Sequence, residues 1–246
     1  MFLADFHIHS NFSDGVLSIS EIVDFYGDRG FGAIAITDHL CEEKSPLGRA
    51  AAYLGRTLTR QSFDEYQETL KREAKRAWNQ YKMLVIPGAE ITKNSLFNHR
   101  AAHIVALGTT DWISADQDFK DIAREIRNNG GFAVAAHPLA PHTQRNKPYY
   151  LWDQRSELTD EFDAWEVTYH EHLLKEVVES DLVKIASSDL HKPEQIESWK
   201  TILCCARDQN EIFKAIRLHE TQFHFYSDCL ESAAPSSHNL STHKWS

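Results

Sequence analysis

Short runs of aliphatic and β-branched residues alternate along the chain with longer segments in which hydrophobic residues recur at helical spacing. The short runs predict seven strands, at residues 3–7, 33–37, 83–87, 103–107, 132–136, 163–167 and 183–187. The longer segments predict helices at residues 18–29, 62–81, 117–129, 171–180 and 209–219. Ser18 and Glu21 have the capping-box spacing that marks a helix start, and Asp208 and Glu211 have the same spacing at the last helix.

Strands that alternate with helices predict parallel β/α units. Near-continuous apolar runs such as AIAIT are typical of strands that are covered on both faces. A closed or nearly closed β/α barrel accounts for seven such strands, and a doubly wound open sheet is the alternative. Residues 41–61 predict an irregular insertion, and residues 228–246, rich in Ser, His and Asn, predict a mobile tail. We therefore expect a single α/β domain over residues 1–227.

Composition and charge exclude several classes of protein to which the chain could otherwise belong. Of the 246 residues, 42% are hydrophobic and 25% are charged, as in a globular domain. No apolar run approaches the roughly 18 residues that cross a bilayer, and the N-terminus lacks the basic region of a signal peptide. The net charge of −10 argues against binding of long duplex nucleic acid. This net charge is compatible with a small anionic substrate if a local group supplies positive charge.

The four cysteines give an expectation about location. None of Cys41, Cys204, Cys205 and Cys229 has the C-x-x-C spacing of a zinc finger. A disulfide framework is not expected either, so a reducing cytoplasm is the predicted compartment.

Side chains that can bind metals lie near the ends of six predicted strands. In β/α barrels and open α/β sheets, functional groups are placed at the C-terminal ends of the strands. The residues at such positions are His7, His9, Asp14, Asp38, His39, Glu90, His103, His137, Asp189 and His191. His7 and His9 are two apart in an extended segment, so their side chains point to one face. His103 is the exception, because it starts its predicted strand.

Each short pattern has a structural explanation when it is taken alone. An H-x-H pair in a strand is often incidental, T-D-H can cap a helix, and H-P is common in turns. Taken together, these patterns favour a metal site. Imidazoles and carboxylates that are clustered at one barrel mouth would be costly to bury without cations to pair with.

The segments that carry these residues are DFHIHSNFSDG, TDH, PGAEIT, AHIVALG, AAHP and SSDLHKP. In type and order they resemble the PHP superfamily, named for its polymerase-associated and histidinol-phosphatase members, over most of residues 3–206. The resemblance implies a distorted (β/α)7 barrel with up to three divalent metals in a cleft at the C-terminal ends of the strands. It also implies hydrolysis of phosphate esters.

The resemblance implies a ligand for every expected position. The first metal would be held by His7, His9, Glu90 and Asp189. Glu90 would bridge to a second metal held also by His103 and His137, and a third would be held by Asp14, His39 and His191. Mixed imidazole and carboxylate ligands suit Zn²⁺, Mn²⁺ or Fe²⁺, so two or three such ions are expected. Asp38 lies outside the implied set and is expected to orient a histidine as a hydrogen-bond partner.

The expected chemistry is attack on phosphorus by a hydroxide that bridges the first two metals. Bound cations lower the pKa of water from 15.7 to about 7, so this hydroxide would form near neutral pH. The metals would also neutralise the phosphate oxygens. They would therefore supply the positive charge that the acidic chain lacks.

Residues that contact the substrate are harder to identify from the sequence. Each candidate could instead be a solvent-exposed residue without a role in binding. The loop after the fifth strand carries His142, Arg145 and Lys147, and His170 follows the sixth. The planar guanidinium of Arg145 suits a phosphate group. Lys93 and Arg100 are further candidates, and His99 is an alternative to His103 as a ligand.

Three functions fit these residues. The first is a metal-dependent phosphoesterase that acts on a small phosphomonoester or nucleotide. Within the family, histidinol phosphatases usually carry His where this chain has Asp14, so the resemblance favours the broader phosphoesterase and nucleotidase subgroup. Leu40 and the long stretch from His39 to Glu90 depart from that subgroup. The alternatives are a nuclease on short oligonucleotides, which would need a basic, aromatic groove, and an inactive metal-binding scaffold, which would lack ligands.

Overall fold

The computed structural model describes residues 1–94, 101–139 and 150–227. In this part of the chain the strands are β1 (Phe2–Asp5), β2 (Ala33–Ile36), β3 (His39–Cys41), β4 (Leu84–Lys93), β5 (Ala102–Leu107), β6 (Phe132–Ala135), β7 (Ala164–Glu166), β8 (Thr168–Tyr169), β9 (His172–Leu173), β10 (Lys184–Ile185), β11 (Trp199–Leu203) and β12 (Thr221–Phe225). The helices are α1 (Ile19–Gly27), α2 (Pro46–Tyr53), α3 (Phe63–Tyr81), α4 (Phe119–Asn128), α5 (Tyr150–Asp153), α6 (Arg155–Leu158), α7 (Lys175–Val178) and α8 (Gln209–Arg217), with a 3-10 turn at Pro193–Ile196. None of these helices has the length and apolar character needed to span a membrane.

Ten strands form one mixed sheet in the order β10-β7-β6-β5-β4-β2-β1-β11-β12, with β3 paired to β4 outside this path. A parallel bridge between Ile8, after β1, and Leu190, after β10, joins the two sides of the sheet. The His9 N–H donates to the Leu190 carbonyl at 2.8 Å. The sheet is therefore a nearly closed barrel, as the sequence predicts.

All seven predicted strands are present, but one of them departs from the parallel β/α pattern that the sequence predicts. β5 runs antiparallel to both of its neighbours, β4 and β6. Only eight residues separate Lys93 from Ala102. A parallel connection needs a dozen or more residues, so this link is too short for one and the chain turns back.

Two other expectations need correction. Residues 41–61 are not wholly irregular, because they contain α2, which Ser45 caps and Pro46 begins. The first half of the predicted helix 171–180 contains β9, which pairs with β8 in a short hairpin, and α7 covers only Lys175–Val178. The predicted tail lies outside the described residues.

Both faces of the central strands are covered by apolar side chains. In β2, Ile34 and Ile36 pack in the cluster that includes α1 and α3, while Ala33 and Ala35 pack on the opposite face with residues of α8. Tyr66 of α3 fixes the strand ends that lead to the candidate site. Its hydroxyl is 3.0 Å from the Ile36 carbonyl and 2.9 Å from the Gly88 carbonyl.

Candidate metal centre

The carboxylate of Glu90 lies at the centre of a cluster of imidazoles. Glu90 is on β4 and is fully buried. Ring nitrogens of five histidines lie within 3.6 Å of its oxygens: His39 Nδ1 at 2.6 Å, His103 Nδ1 at 2.8 Å, His137 Nε2 at 3.3 Å, His7 Nε2 at 3.4 Å and His9 Nε2 at 3.6 Å. These residues are far apart in the sequence, so the fold of the barrel brings them together.

Antiparallel β5 explains the position of His103. Because β5 runs against its neighbours, its first residues lie at the edge of the sheet where the parallel strands end. Its second residue, His103, pairs in register with Thr92, two residues after Glu90. His103 therefore reaches the same mouth as the residues that follow β1 and β2.

Two aspartates complete the cluster. Asp189 Oδ1 lies 3.2 Å from His9 Nε2 and 3.4 Å from His7 Nε2. Asp14 Oδ1 lies 3.2 Å from His191 Nε2 and 3.5 Å from His39 Nε2. Asp189 has φ of 54° and His137 has φ of 26°. Backbone in this left-handed region is uncommon for residues with a Cβ, and it often occurs at functional sites.

The potential ligand atoms form three groups whose members all lie within 4.8 Å of one another: His9, Asp14, His39 and His191; His7, Glu90 and His137; and His7, His9 and Asp189. Eight of the nine sequence-predicted ligands belong to these groups. His103 belongs to none of them, although it contacts Glu90. The groups also differ from the set implied by the resemblance, because His9 joins Asp14, His39 and His191.

Orphaned buried nitrogens show that these residues fit divalent cations. Within the described part of the chain, His7 Nε2 and both ring nitrogens of His9 are buried without a hydrogen-bond partner. His9 Nε2 is close to Asp189 but is not aligned for a hydrogen bond. An unpaired buried polar atom is costly. A cation between imidazoles and carboxylates would satisfy these atoms, and the nitrogen and oxygen donor set is typical for Zn²⁺, Mn²⁺ or Fe²⁺.

Electrostatics keep the central carboxylates ionised. Burial by itself would raise the pKa of Glu90, but the charges of His103, His39 and His7 outweigh burial and hold that pKa well below its usual range. Asp189 has a depressed pKa for the same reason, through His7 and His9. Both carboxylates are therefore deprotonated, as metal ligands must be.

The histidines of the cluster differ in their pKa values and therefore in their protonation. Burial and the neighbouring charge of His39 lower the pKa of His9 to about 3, so His9 is neutral and can bind a cation. Burial would also lower the pKa of His191, but its hydrogen bond to Asp14 and the charge of Asp189 raise it to about 9. Without a cation, His191 therefore carries a proton at neutral pH.

Glu166 is a site residue that the sequence analysis missed. One of its carboxylate oxygens lies 3.1 Å from His7 Nδ1, and the other accepts the backbone N–H of His137 at 2.9 Å. A carboxylate at Nδ1 fixes the tautomer in which Nε2 is free to bind a cation. The only signal in the sequence was an acidic residue inside the apolar run DAWEV.

The structure corrects the expected role of Asp38. Its carboxylate accepts hydrogen bonds from the Ser10 N–H at 2.8 Å, the Ser10 hydroxyl at 2.6 Å and the Ser13 hydroxyl at 2.6 Å. Asp38 thus holds the loop between His9 and Asp14, and in the described part of the chain its carboxylate bonds no histidine ring.

The residues that the sequence suggests as substrate contacts differ in how well their surroundings suit that role. His170 lies between β8 and β9 with φ of 51°, and its Nδ1 is buried without a hydrogen-bond partner in the described residues. Its neighbour Tyr169 contacts the ring of His137, with ring centroids 6.1 Å apart. Lys93 is unsuited to bind a phosphate, because its ammonium group donates to the carbonyls of Ala115 and Gln117 and pairs with Glu42. The candidates outside the described residues are His99, Arg100, His142, Arg145 and Lys147.

Comparison with known proteins agrees with this geometry. The family model of the PHP domain matches residues 5–176. A structure with a similar fold is a two-domain protein from Bacteroides vulgatus that contains a predicted PHP-like metal-dependent phosphoesterase; it is 24% identical, with a TM-score of 0.67. The match covers 92% of this chain and 65% of that protein, so the chain spans less than two thirds of its length.

A second structure, of an amidohydrolase from Chromobacterium violaceum with bound sulfate and no metal, is 15% identical with a TM-score of 0.49. It covers 92% of this chain and 99% of that protein. No curated protein sequence matches the chain significantly. A barrel-like α/β fold with a cluster of histidines and acids at one edge defines a candidate metalloprotein. The chain belongs to the PHP domain family, since the family model covers well over half of it.

Proposed function

We propose that this protein is a hydrolase that cleaves phosphate esters with the help of divalent metal ions. The observation that carries this proposal is the convergence of five imidazoles on the buried carboxylate of Glu90, with Asp14 and Asp189 beside them. Membership of the PHP domain family and the description of the Bacteroides vulgatus structure support the same chemistry.

We assign the nine clustered residues as ligands for two or three ions of zinc, manganese or iron: His7, His9, Asp14, His39, Glu90, His103, His137, Asp189 and His191. When bound, such ions would lower the pKa of a coordinated water toward neutrality and offset the charge of the phosphate oxygens. Glu90 is central to this arrangement, because its two oxygens face different histidines. Glu166 orients His7, and Asp38 holds the loop that carries Asp14.

The substrate would approach from the side of Asp14 and His191. The side chains of these two residues are 31% and 22% exposed, whereas those of His7, His9 and Glu90 have no exposure. We propose a small phosphomonoester or nucleotide as substrate. His170 is a candidate contact to it, because its Nδ1 has no hydrogen-bond partner among the residues that the structure describes. Arg145 and His142 stay candidates from the sequence alone.

The direct test is a screen of the purified, Mn²⁺- or Zn²⁺-loaded protein against sugar phosphates, nucleotides, histidinol phosphate, short oligonucleotides and an aryl phosphate. We expect hydrolysis of at least one phosphomonoester, complete loss with a chelator, and recovery when metal is restored. Glu90→Ala should abolish activity, and the matched variant Glu73→Ala, a buried glutamate of α3 away from the cluster, should retain it.

Other outcomes of that screen would count against the proposal. Activity confined to oligonucleotides would favour the nuclease alternative. Stoichiometric metal without any hydrolysis would favour a scaffold. We keep the cytoplasm as the proposed location on the basis of the cysteine spacing alone.

A further inference from the structure

A buried ion pair lies beneath the candidate metal centre and is not part of it. Asp5, on β1, and Lys200, on β11, have no solvent exposure, and Lys200 Nζ lies 3.2 Å from Asp5 Oδ2. A buried lysine is rare unless it is paired, because desolvation of its charge is costly. The position of this pair between two strands indicates a specific role.

Asp5 collects hydrogen bonds from the segment that leads into the site. Its Oδ1 accepts the Ser188 N–H at 3.0 Å, and its Oδ2 accepts the Ser188 hydroxyl at 2.6 Å and the Tyr26 hydroxyl at 2.8 Å. Hydrogen bonds to an ionised carboxylate are stronger than those between neutral groups. Ser188 is therefore held by two such bonds to one side chain of β1.

Ser188 immediately precedes Asp189, whose backbone has the left-handed φ of 54°. On the other side, the Leu190 N–H donates to the His7 carbonyl at 3.2 Å, and the His9 N–H donates to the Leu190 carbonyl at 2.8 Å. Asp189 is thus fixed on one side to Asp5 of β1 and on the other side to the segment that follows β1. The same strand carries Asp5 and leads directly into His7 and His9, the two histidines whose Nε2 atoms face the Asp189 carboxylate.

We propose that the Asp5–Lys200 pair is a positioning device that acts through Ser188 to set the Asp189 carboxylate against His7 and His9. Lys200 pairs with the Asp5 carboxylate and holds it in place, and Asp5 holds Ser188. Within the described part of the chain, neither residue hydrogen-bonds the side chain of a candidate metal ligand, so both act through the backbone of Asp189. This inference rests on the proposed metal site.

The test compares two adjacent serines. Ser187 and Ser188 are both buried, but the Ser187 hydroxyl has no hydrogen-bond partner in the described residues, whereas the Ser188 hydroxyl donates to Asp5. Alanine at either position removes the same single oxygen atom. Mn²⁺ affinity would be measured by electron paramagnetic resonance titration on the full chain, well below the unfolding temperature of each variant.

We expect Ser188→Ala to weaken Mn²⁺ binding by about 10- to 100-fold, the range typical for loss of a residue that supports a ligand, and Ser187→Ala to leave it unchanged. Lys200→Met should weaken binding to a similar degree. Lys184→Met, which removes an ammonium group on β10 that donates to the backbone carbonyls of Val178 and Ser180, should not. If Lys200→Met does not fold, the serine pair decides the question.

The outcomes separate this inference from the proposed function. Equal Mn²⁺ affinity of Ser188→Ala, Ser187→Ala and the wild type would overturn the positioning role and leave the metal site intact. Equal weakening by both serine variants would also overturn it, because a general packing defect would then explain the loss. If the wild-type protein itself binds no Mn²⁺, the proposed function fails first.

Discussion

His103 Nδ1 lies 2.8 Å from Glu90 Oε1, across the antiparallel pair of β4 and β5. This contact joins a residue near the start of one strand to a residue in the middle of its neighbour. It places an imidazole on the carboxylate oxygen that His7 and His137 also approach. Glu90 thereby links ligand groups that come from separate strands, so its removal should affect the whole cluster.

Glu90→Gln should weaken Mn²⁺ or Zn²⁺ binding by at least about 100-fold. Loss of a residue that only supports a ligand weakens binding by up to about 100-fold, and loss of a central ligand should have at least that effect. The amide is nearly isosteric but lacks the charge that pairs with cations. The measurement is metal content after dialysis, by mass spectrometry. Glu73→Gln, also buried but located on α3, is the control and should keep full metal content. Retention of metal by Glu90→Gln would contradict the central role of Glu90.

Glu166→Gln tests the residue that the sequence analysis missed. The variant replaces an acceptor at His7 Nδ1 with an amide and so loosens the tautomer in which Nε2 binds a cation. We expect Mn²⁺ affinity to fall by about 10- to 100-fold with the fold intact, as monitored by circular dichroism. Glu157→Gln, which loses only an exposed pair with Lys120, should bind as the wild type does. Unchanged affinity of Glu166→Gln would show that His7 needs no such partner.

Metal binding should release protons. Because the pKa of His191 is raised to about 9, this side chain is protonated at neutral pH without metal and must lose its proton to become a ligand. Mn²⁺ affinity should therefore increase as the pH rises from 6.5 to 8.5, by up to about tenfold per pH unit for each coupled proton. Calorimetric titrations in buffers of different ionisation enthalpy measure this release. In His191→Gln the release should fall by about one proton, and an unchanged value would contradict His191 as a ligand.

Tyr66→Phe should lower the free energy of unfolding by about 1–3 kcal/mol, since the carbonyls of Ile36 and Gly88 lose a buried hydrogen-bond donor. Urea denaturation of the metal-free protein measures the change. Tyr81→Phe is the matched control, because the Tyr81 hydroxyl bonds only polar side chains near the surface and its loss should matter less. Equal effects of the two substitutions would show that Tyr66 has no special role at the strand ends.

The sequence predicted the seven strands and the nine clustered residues because both depend on local patterns. Apolar runs mark buried strands, and the residue that follows such a strand reaches the edge of the sheet. The direction of β5 depends on the length of its connection to β4, and the predicted strand 83–87 ends six residues before β4 does, so the sequence pattern makes this link look longer than it is. For that reason His103 stood as an exception until the structure showed that β5 is antiparallel.

What the sequence could not predict depends on long-range contacts. Glu166 is 159 positions from His7, and Asp5 is 183 positions from Ser188. No local pattern links such pairs, and a single acid inside an apolar strand has several explanations. Asp38 was singled out because it precedes His39, but its partners were set by the path of the loop that contains Ser10 and Ser13.

The most direct test of the metal centre is anomalous X-ray scattering from a crystal of the protein loaded with Mn²⁺, recorded above and below the manganese absorption edge. We expect two or three anomalous peaks, each within about 2.5 Å of side-chain atoms from the nine clustered residues, with one or more beside Glu90. A fully loaded, folded crystal without an anomalous peak near Glu90 would contradict the assignment of this cluster as a metal centre.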